Sequence, residues 1–181
     1  MVYILLGTGF EEIEALAPCD ILRRGGVQVA LVGVDGPEIT GGHGITVRAD
    51  LTVEQLDRAQ LEMIVLPGGL GGVQAIGASP AAMEAVSWAY AHDKWVAAIC
   101  AAPTLLPRLG ISQGKRCVCY PGMEDQVEGA EMVKANAVRD GRLLTGRGPG
   151  AALDFGFLLL EALRGSEAAA QVKAGMVYQQ D

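Results

Sequence analysis

The sequence predicts an α/β fold in which a mostly parallel central sheet is covered by helices on both faces. Short runs of Val, Ile and Leu recur along the chain without polar interruption, as strands buried on both faces do. Stretches with helical periodicity alternate with these runs, and this is the order that parallel strands require. Half of the 181 residues are hydrophobic but only 5% are aromatic, so small aliphatic side chains should form the core.

The strands are expected where apolar runs are bounded by Gly, Pro or polar residues. They cover Val2–Leu6, Val27–Val34, Glu38–Thr40, Ile45–Arg48, Leu61–Leu66, Trp95–Cys100, Arg116–Tyr120, Glu131–Val138 and Arg142–Thr145. Glu38–Thr40 and Ile45–Arg48 flank a glycine-rich segment, residues 41–44, which predicts a hairpin.

The helices are expected where apolar residues recur every three or four positions. They cover Glu11–Arg24, Val53–Arg58, Pro80–Asp93, Thr104–Leu109, Pro149–Leu163 and Glu167–Val177. Gly25 and Gly26 end the first helix, and Pro149 suits the first turn of another. No repeat or linker interrupts this order, so residues 1–181 are expected to form a single domain.

Composition excludes several classes of function. The net charge is −7, and Lys and Arg occur together only in short pairs, so the chain should bind neither nucleic acid nor an anionic membrane. The four cysteines have no CxxC spacing and no His at metal-ligand spacing, which argues against a zinc site. No signal peptide or membrane span is recognisable, and a reducing cytoplasm is the expected location.

Ligands of doubly wound folds bind beyond the carboxyl ends of the strands. The turns after Leu6, Leu66 and Ile99 should therefore meet there. Cys100 lies on the last of these turns, where the helix dipole and free amides favour an anion, so its thiol should lose a proton more readily. The alternative is that Cys100, like Cys19, Cys117 and Cys119, is a small buried hydrophobe.

The turn Pro67–Gly72 contains four glycines, which would let backbone amides approach a ligand. A second glycine-containing turn, around Gly148–Gly150, is the other candidate for binding an anion. For the turn Pro67–Gly72, the alternative is a plain flexible connection.

Three carboxylates, Glu11, Glu12 and Glu14, follow the first strand. The sequence alone favours solvated side chains that complement the helix dipole, for Glu14 as for its neighbours. Glu14 could instead face the strand ends and act as an acid or a base.

Two nucleotide-binding motifs are incomplete. Residues 7–12 begin like a dinucleotide fingerprint, but Glu12 stands where the third Gly belongs. Residues 110–116 are one residue short of a P-loop and lack its Ser or Thr. Neither a cofactor nor a metal ion is therefore expected.

Five motifs occur in order along nearly the whole chain. They are Gly9–Glu14, Leu66–Gly69, Ala97–Pro103, Arg147–Gly150 and Ala169–Ala174. Together they resemble the ThiJ/PfpI superfamily, and within it the branch of the parkinsonism-associated protein deglycase. The resemblance implies a flavodoxin-like three-layer sandwich and a homodimer with the site near its interface.

The resemblance also implies roles for individual residues. Cys100 would be the nucleophile on a strained turn, and Glu14 the carboxyl that contacts its sulfur and transfers protons. The amides of Gly69 and Ala101 would form an oxyanion pocket, with Gly68 as a further substrate-binding residue.

The sequence departs from the family pattern at two positions. The PfpI protease branch places a His directly after the nucleophile, where this chain has Ala101, so a Cys–His pair cannot form from neighbours. Deglycase-branch members often carry a His where this chain has Tyr120, whose phenol is a weak base but a hydrogen-bond donor. His43 lies near the position where relatives place a basic residue that reaches across the dimer.

The leading hypothesis is a cysteine-dependent, cofactor-free enzyme of the glyoxalase III or deglycase type. Its substrate would be a small 2-oxoaldehyde such as methylglyoxal, or a protein glycated by one. One alternative is a redox-responsive stress protein or chaperone that uses an oxidisable Cys100. A further alternative is an amidase or peptidase of the PfpI type, which the missing His disfavours.

Overall fold

The computed structural model describes residues 1–178, so the end of the domain predicted over residues 1–181 lies outside the described residues. Its strands are β1 Val2–Leu6, β2 Val29–Gly33, β3 Glu38–Thr40, β4 Thr46–Arg48, β5 Leu51–Thr52, β6 Met63–Leu66, β7 Trp95–Ile99, β8 Arg116–Cys117, β9 Glu131–Met132, β10 Ala137–Asp140 and β11 Leu143–Gly146. The central sheet has the order β10–β11–β7–β6–β1–β2–β5. Within it β10 runs antiparallel to β11, and the other neighbours are parallel.

The middle strands β1, β6 and β7 are buried along their whole length, because each is an uninterrupted apolar run. Their registers pair Ile4 with Val65 and Leu66 with Ala98, so their carboxyl ends lie at one edge of the sheet. The predicted α/β fold with a mostly parallel sheet is confirmed.

Helices cover both faces of the sheet, as predicted. They are α1 Glu12–Arg24, α2 Leu70–Ala78, α3 Pro80–Ala91, α4 Ala152–Arg164 and α5 Ser166–Gly175. Helices α1 and α4 pack against each other, and α2 and α3 contact β1, β6 and β7. None of the helices within residues 1–178 combines the length and apolarity needed to cross a bilayer.

Helix α2 was not predicted, because Gly71, Gly72 and Gly77 give its segment a low helix propensity. The tertiary structure explains these glycines. A Cβ on Gly72 would lie 2.7 Å from the Cα of Phe10, and one on Gly71 would lie 2.9 Å from the carbonyl oxygen of Thr8. Close approach to the turn after β1 therefore requires glycine, at the expense of local helix propensity.

Several predicted boundaries were wrong outside the middle strands of the central sheet. The expected strand Glu131–Val138 is divided into β9 and β10, and β8 pairs with β9 as a separate two-stranded sheet. The expected helix Val53–Arg58 consists of two short 3₁₀ turns. The predicted hairpin is confirmed, since β3 pairs antiparallel with β4.

Candidate active site

Cys100 lies directly after β7 with a backbone φ of +64°, a conformation that few residues with a Cβ adopt. Two hydrogen bonds hold it there. Its N–H donates to the carbonyl of Gly146 at 2.9 Å, and its carbonyl accepts from the N–H of Tyr120 at 2.8 Å. Such a conformation costs about 1–3 kcal/mol and persists only where its surroundings fix it. The strands β7 and β11 therefore position the thiol, which is 8% exposed.

Glu14 is completely buried, contrary to the expectation of a solvated helix-start carboxylate. Its Oε2 accepts the N–H of Gly68 at 2.8 Å. Its Oε1 is also buried and makes no well-aligned hydrogen bond with a described residue. The first turn of α1 thus directs Glu14 towards the strand ends. The periodicity of the sequence did not resolve this direction.

Gly68 lies between the carboxyl of Glu14 and the thiol of Cys100. A Cβ at Gly68 would be 2.5 Å from Glu14 Oε2 and 3.0 Å from Cys100 Sγ. Both reactive atoms therefore surround the space that only a glycine leaves open. The structure brings Cys100 and Glu14 together, and this glycine is what lets them approach.

Burial raises the pKa of Glu14 to about 7, although hydrogen bonds from Cys100 and Gly68 oppose this rise. Burial, followed by the negative charge of Glu14, raises the pKa of Cys100 to about 12. The expectation of a more acidic thiol was therefore wrong, because the helix-turn environment is outweighed by burial and by the neighbouring carboxylate. The two acids interact and titrate as a pair, which loses its first proton near pH 7 and keeps the second well above that pH.

Two backbone amides face the sulfur. Hydrogen bonds from the amides of Ala101 and Gly69 lower the pKa of Cys100 and partly offset its burial. Gly69 has a φ of +80°, and a Cβ there would collide with the backbone of Gly9 and Phe10. The amide of Gly68, by contrast, is occupied by Glu14 and cannot serve an oxyanion at the same time.

An open pocket of about 550 Å³ lies above the sulfur. Its walls are mainly apolar and come from five segments of the chain. The lining residues are Glu11, Gly69, Leu70, Cys100, Ala101, Tyr120, Pro121, Met123 and Pro149. The sequence did not single out Leu70 or Met123, although their position after the ends of buried segments was a usable signal.

Tyr120 lines the pocket and is 47% exposed. Its ring packs over Gly148, because a Cβ on that glycine would lie 3.4 Å from a ring carbon. The phenol makes no hydrogen bond to a described residue, so it is available to a ligand.

His43 does not line this pocket in the described chain. Its Nδ1 lies 2.9 Å from an oxygen of Glu12, and its backbone N–H donates to the other oxygen at 2.8 Å. Glu12 is 4% exposed and not solvated as expected. Within residues 1–178, the side chains of Glu11, Glu12 and His43 form the one group of three potential metal ligands within 4.8 Å of one another. The hydrogen bonds within this group account for its geometry.

The chain is similar to proteins of one family over nearly its full length. The sequence profile described as the DJ-1/PfpI family matches residues 1–162. The protein dj-1beta of Drosophila melanogaster is 34% identical over 177 residues, which are 96% of this chain and 95% of that protein. The crystal structure of Drosophila melanogaster DJ-1beta superposes with a TM-score of 0.94. The aligned part is 99% of this chain and 98% of the chain in that structure.

Two further relatives bear on function. A deglycase of Pyrococcus abyssi is 33% identical over 151 residues, covering 82% of this chain and 90% of that enzyme. The structure of oxidized Toxoplasma gondii DJ-1 has a TM-score of 0.94 at 30% identity, covering 99% of this chain and 98% of its own.

Proposed function

The chain belongs to the DJ-1/PfpI family, and we propose that it is a cysteine-dependent enzyme that converts 2-oxoaldehydes, or their early adducts on proteins, to 2-hydroxy acids. This is chemistry of the glyoxalase III or deglycase type, with methylglyoxal as the simplest substrate. One observation carries the proposal. The Cys100 thiol and the carboxyl of the buried Glu14 border the same space at Gly68, and Oε1 of Glu14 has no hydrogen-bond partner among the described residues.

In the first step, the sulfur of Cys100 forms a bond to the aldehyde carbon of the substrate. The electron pair of the carbonyl moves to its oxygen, which takes up the thiol proton by way of Glu14. The product is a hemithioacetal. The amides of Gly69 and Ala101, which already face the sulfur, stabilise the negative charge that develops on this oxygen.

In the second step, Glu14 removes the hydrogen of the former aldehyde carbon as a proton and returns a proton to the neighbouring carbon. The hydroxyl proton of the hemithioacetal moves to the oxygen of that neighbouring carbon. The first carbon is thereby oxidised to a thioester and the second reduced to an alcohol, so the redox change is internal to the substrate. A carboxyl whose pKa is about 7 can both accept and donate this proton near neutral pH.

In the last step, water attacks the thioester and the carbon–sulfur bond breaks. The 2-hydroxy acid leaves and the thiol of Cys100 is restored. Nucleophile, proton carrier and oxyanion donors all come from this chain, so the proposal includes neither a metal ion nor an organic cofactor. The similarity to the Pyrococcus abyssi deglycase supports an enzymatic function.

We also propose that the protein forms a homodimer and that it is located in a reducing cytoplasm. Ile13 on α1 and Ile45 next to β4 are each 54% exposed, which supports burial of this side against a second copy. All four cysteines are free and buried, as suits a reducing compartment. Light scattering of the wild type and of Ile45→Asp, for which we expect a smaller mass, tests the dimer.

Replacement of Cys100 by Ala tests the reaction itself. Without glutathione, the wild type should consume methylglyoxal and release lactate, and Cys100→Ala should do neither. Cys19→Ala is the matched control, because Cys19 is also a buried free thiol but lies in α1 away from the pocket. Turnover that persists in Cys100→Ala would contradict the proposal.

A redox-responsive stress protein or chaperone is the second candidate, and it is supported by the similarity to oxidized Toxoplasma gondii DJ-1. A sulfinate at Cys100 would be an anion facing the same two amides and a protonated Glu14. Peptide mass spectrometry after mild peroxide should then show Cys100 oxidised before Cys19, Cys117 and Cys119; equal oxidation of all four would exclude this function.

The amidase or peptidase alternative finds no support in the geometry. The chain has two histidines, and neither lines the pocket: His43 is bound to Glu12, and the ring of His92 contacts the carbonyl of Trp88. No Cys–His pair of the PfpI type can form within this chain.

A further inference from the structure

The pocket above Cys100 adjoins a second cavity, which in turn adjoins a third. Tyr120, Pro121 and Pro149 form a wall shared by this pocket and a second cavity of about 350 Å³. Asn136 and Arg147 are in turn shared by that cavity and a third of about 480 Å³. We call the second and third cavities together the far groove. It leads away from the sulfur along the turn that contains Gly148 and Gly150.

The far groove carries two cations that the fold does not use. Lys134 and Arg147 line it and make no ion pair or side-chain hydrogen bond to a described residue. Elsewhere, cationic side chains such as Arg23 and Arg58 are paired with carboxylates. In a chain of net charge −7, these two unpaired cations lie at one groove, and they make it a place where an anion would bind.

The acidic groups near the far groove are already engaged. Glu124 lines the third cavity, but its Oε2 accepts the N–H of Gly122 at 2.7 Å. Asp154 accepts the side-chain amide of Asn136 at 2.7 Å. Neither carboxylate is paired with Lys134 or Arg147, so both cations can face a ligand.

The part of the groove between the sulfur and these cations is apolar. The Tyr120 ring lies against Gly148, and Pro121 and Pro149 flank the passage. Around Gly150 no atom would approach an added Cβ within 4 Å, so the passage is open at this turn. A ligand that extends along it would need an apolar spacer before it reaches a charged end.

We propose that the far groove binds the carboxylate or phosphate end of a substrate whose carbonyl group lies at Cys100. The inference rests on the proposed function and narrows its substrate class. The preferred substrates are 2-oxoaldehydes that carry an anionic group on an apolar spacer of several atoms. Arg147 is the main anion-binding residue, because it is shared by both cavities, and Lys134 is the second.

Alkylation of Cys100 tests the groove without relying on turnover. The probes are iodoacetamides whose tails end in a carboxylate, in a phosphate or in a neutral carboxamide, in a series of increasing tail length. Intact-protein mass spectrometry gives the rate for each. At one tail length, we expect the anionic probes to react about fivefold faster than the neutral one at low salt, as one surface ion pair can provide. The ratio of phosphate to carboxylate rates distinguishes the two kinds of anion.

Variants assign this preference to the groove. Arg147→Gln and, to a smaller extent, Lys134→Gln should reduce the anionic-to-neutral rate ratio toward one. Lys94→Gln is the matched control, since Lys94 is also an unpaired cation but precedes β7 at the opposite end of that strand. Using rate ratios removes any change in the reactivity of the thiol itself. A ratio near one at every tail length, or a preference that survives Arg147→Gln and Lys134→Gln, would overturn the proposal.

Turnover separates this proposal from the one on which it rests. An anionic alkylation preference without consumption of any 2-oxoaldehyde would leave the groove standing and remove the glyoxalase or deglycase function. Consumption of methylglyoxal without any anionic preference in alkylation would support the glyoxalase or deglycase function and remove the proposal for the far groove. If both hold, kcat/KM for 2-oxoaldehydes with a carboxylated tail should exceed that for their carboxamides at the same tail length.

Discussion

Glu12 and Glu14 lie two residues apart in the first turn of α1, and both side chains are shielded from solvent, yet their pKa values shift in opposite directions. Burial tends to raise the pKa of Glu12, but hydrogen bonds from the side chain of His43 and from the backbone of His43 and Ile45 outweigh it, so the pKa is lowered. Burial dominates at Glu14, whose pKa rises to about 7.

The difference lies in depth and in the number of partners. Glu12 is held by the hairpin of β3 and β4: the amides of His43 and Ile45 donate to its Oε1, and the Nδ1 of His43 lies 2.9 Å from its Oε2. Glu14 is completely buried, and its Oε1 has no hydrogen-bond partner among the described residues, although the thiol of Cys100 lies nearby. A buried carboxylate with every oxygen satisfied stabilises the fold, whereas one left partly unsatisfied beside a nucleophile is available for proton transfer.

The largest expected effect is that of Glu14→Gln on turnover. The Gln side chain keeps an oxygen for the N–H of Gly68 but can neither accept nor return the substrate proton. We expect kcat/KM for methylglyoxal to fall by about 10²–10⁴-fold. Glu12→Gln should retain most of the activity, because Glu12 contacts the hairpin and not the pocket. A similar loss in both variants would mean that the contrast between the two carboxyls is not a catalytic one.

The next effect concerns the dependence of stability on pH. The pKa of Glu14 is higher in the folded state, so the unfolded chain loses this proton first, and Glu14 lowers stability as pH rises from about 4.5 to about 7. The loss amounts to roughly 3 kcal/mol. Glu12 has the opposite sign, since its lowered pKa contributes stability that is lost as pH falls through its folded-state pKa.

Urea unfolding of the wild type and Glu14→Gln over this pH range measures the first contribution, and the same measurement on the wild type and Glu12→Gln below pH 4.5 measures the second. Compared with the wild type, Glu14→Gln should become relatively more stable as pH rises. The difference in the free energy of unfolding between Glu12→Gln and the wild type should shrink as the pH falls. If the two variants showed parallel profiles of stability against pH, Glu12 and Glu14 would not contribute to the pH dependence with opposite signs.

The smallest effect is the cost of Glu12→Gln near neutral pH. The neutral amide weakens the charge-assisted bonds to His43 and Ile45, and we expect a loss of about 1–2 kcal/mol in the free energy of unfolding. Hydrogen exchange at the amides of β3 and β4 should accelerate more than exchange in β1. His43→Gln should produce the same local change to a smaller extent. Unchanged hydrogen exchange in β3 and β4 in both variants would show that the bonds of Glu12 to His43 and Ile45 do not stabilise the hairpin.

The predictions made from sequence succeeded where local pattern and fold agree. The apolar runs of β1, β6 and β7 identified the parallel sheet, and Cys100 lies on the turn directly after the last of them, as expected. They failed where a distant segment decides the outcome. Helix α2 contains glycines because the backbone around Phe10 packs against it, and no local propensity could indicate this.

The sequence by itself determined the α/β class, the order of the strands along the chain and the presence of a free thiol at the end of a buried strand. These follow from hydrophobic periodicity, which is encoded locally. Only the tertiary structure decided that Glu14 is buried, that Gly68 lets it approach Cys100, and that the thiol is less acidic than a helix terminus alone would make it. A pKa depends on desolvation and on the charges nearby, and both are set by residues that meet only when the chain has folded.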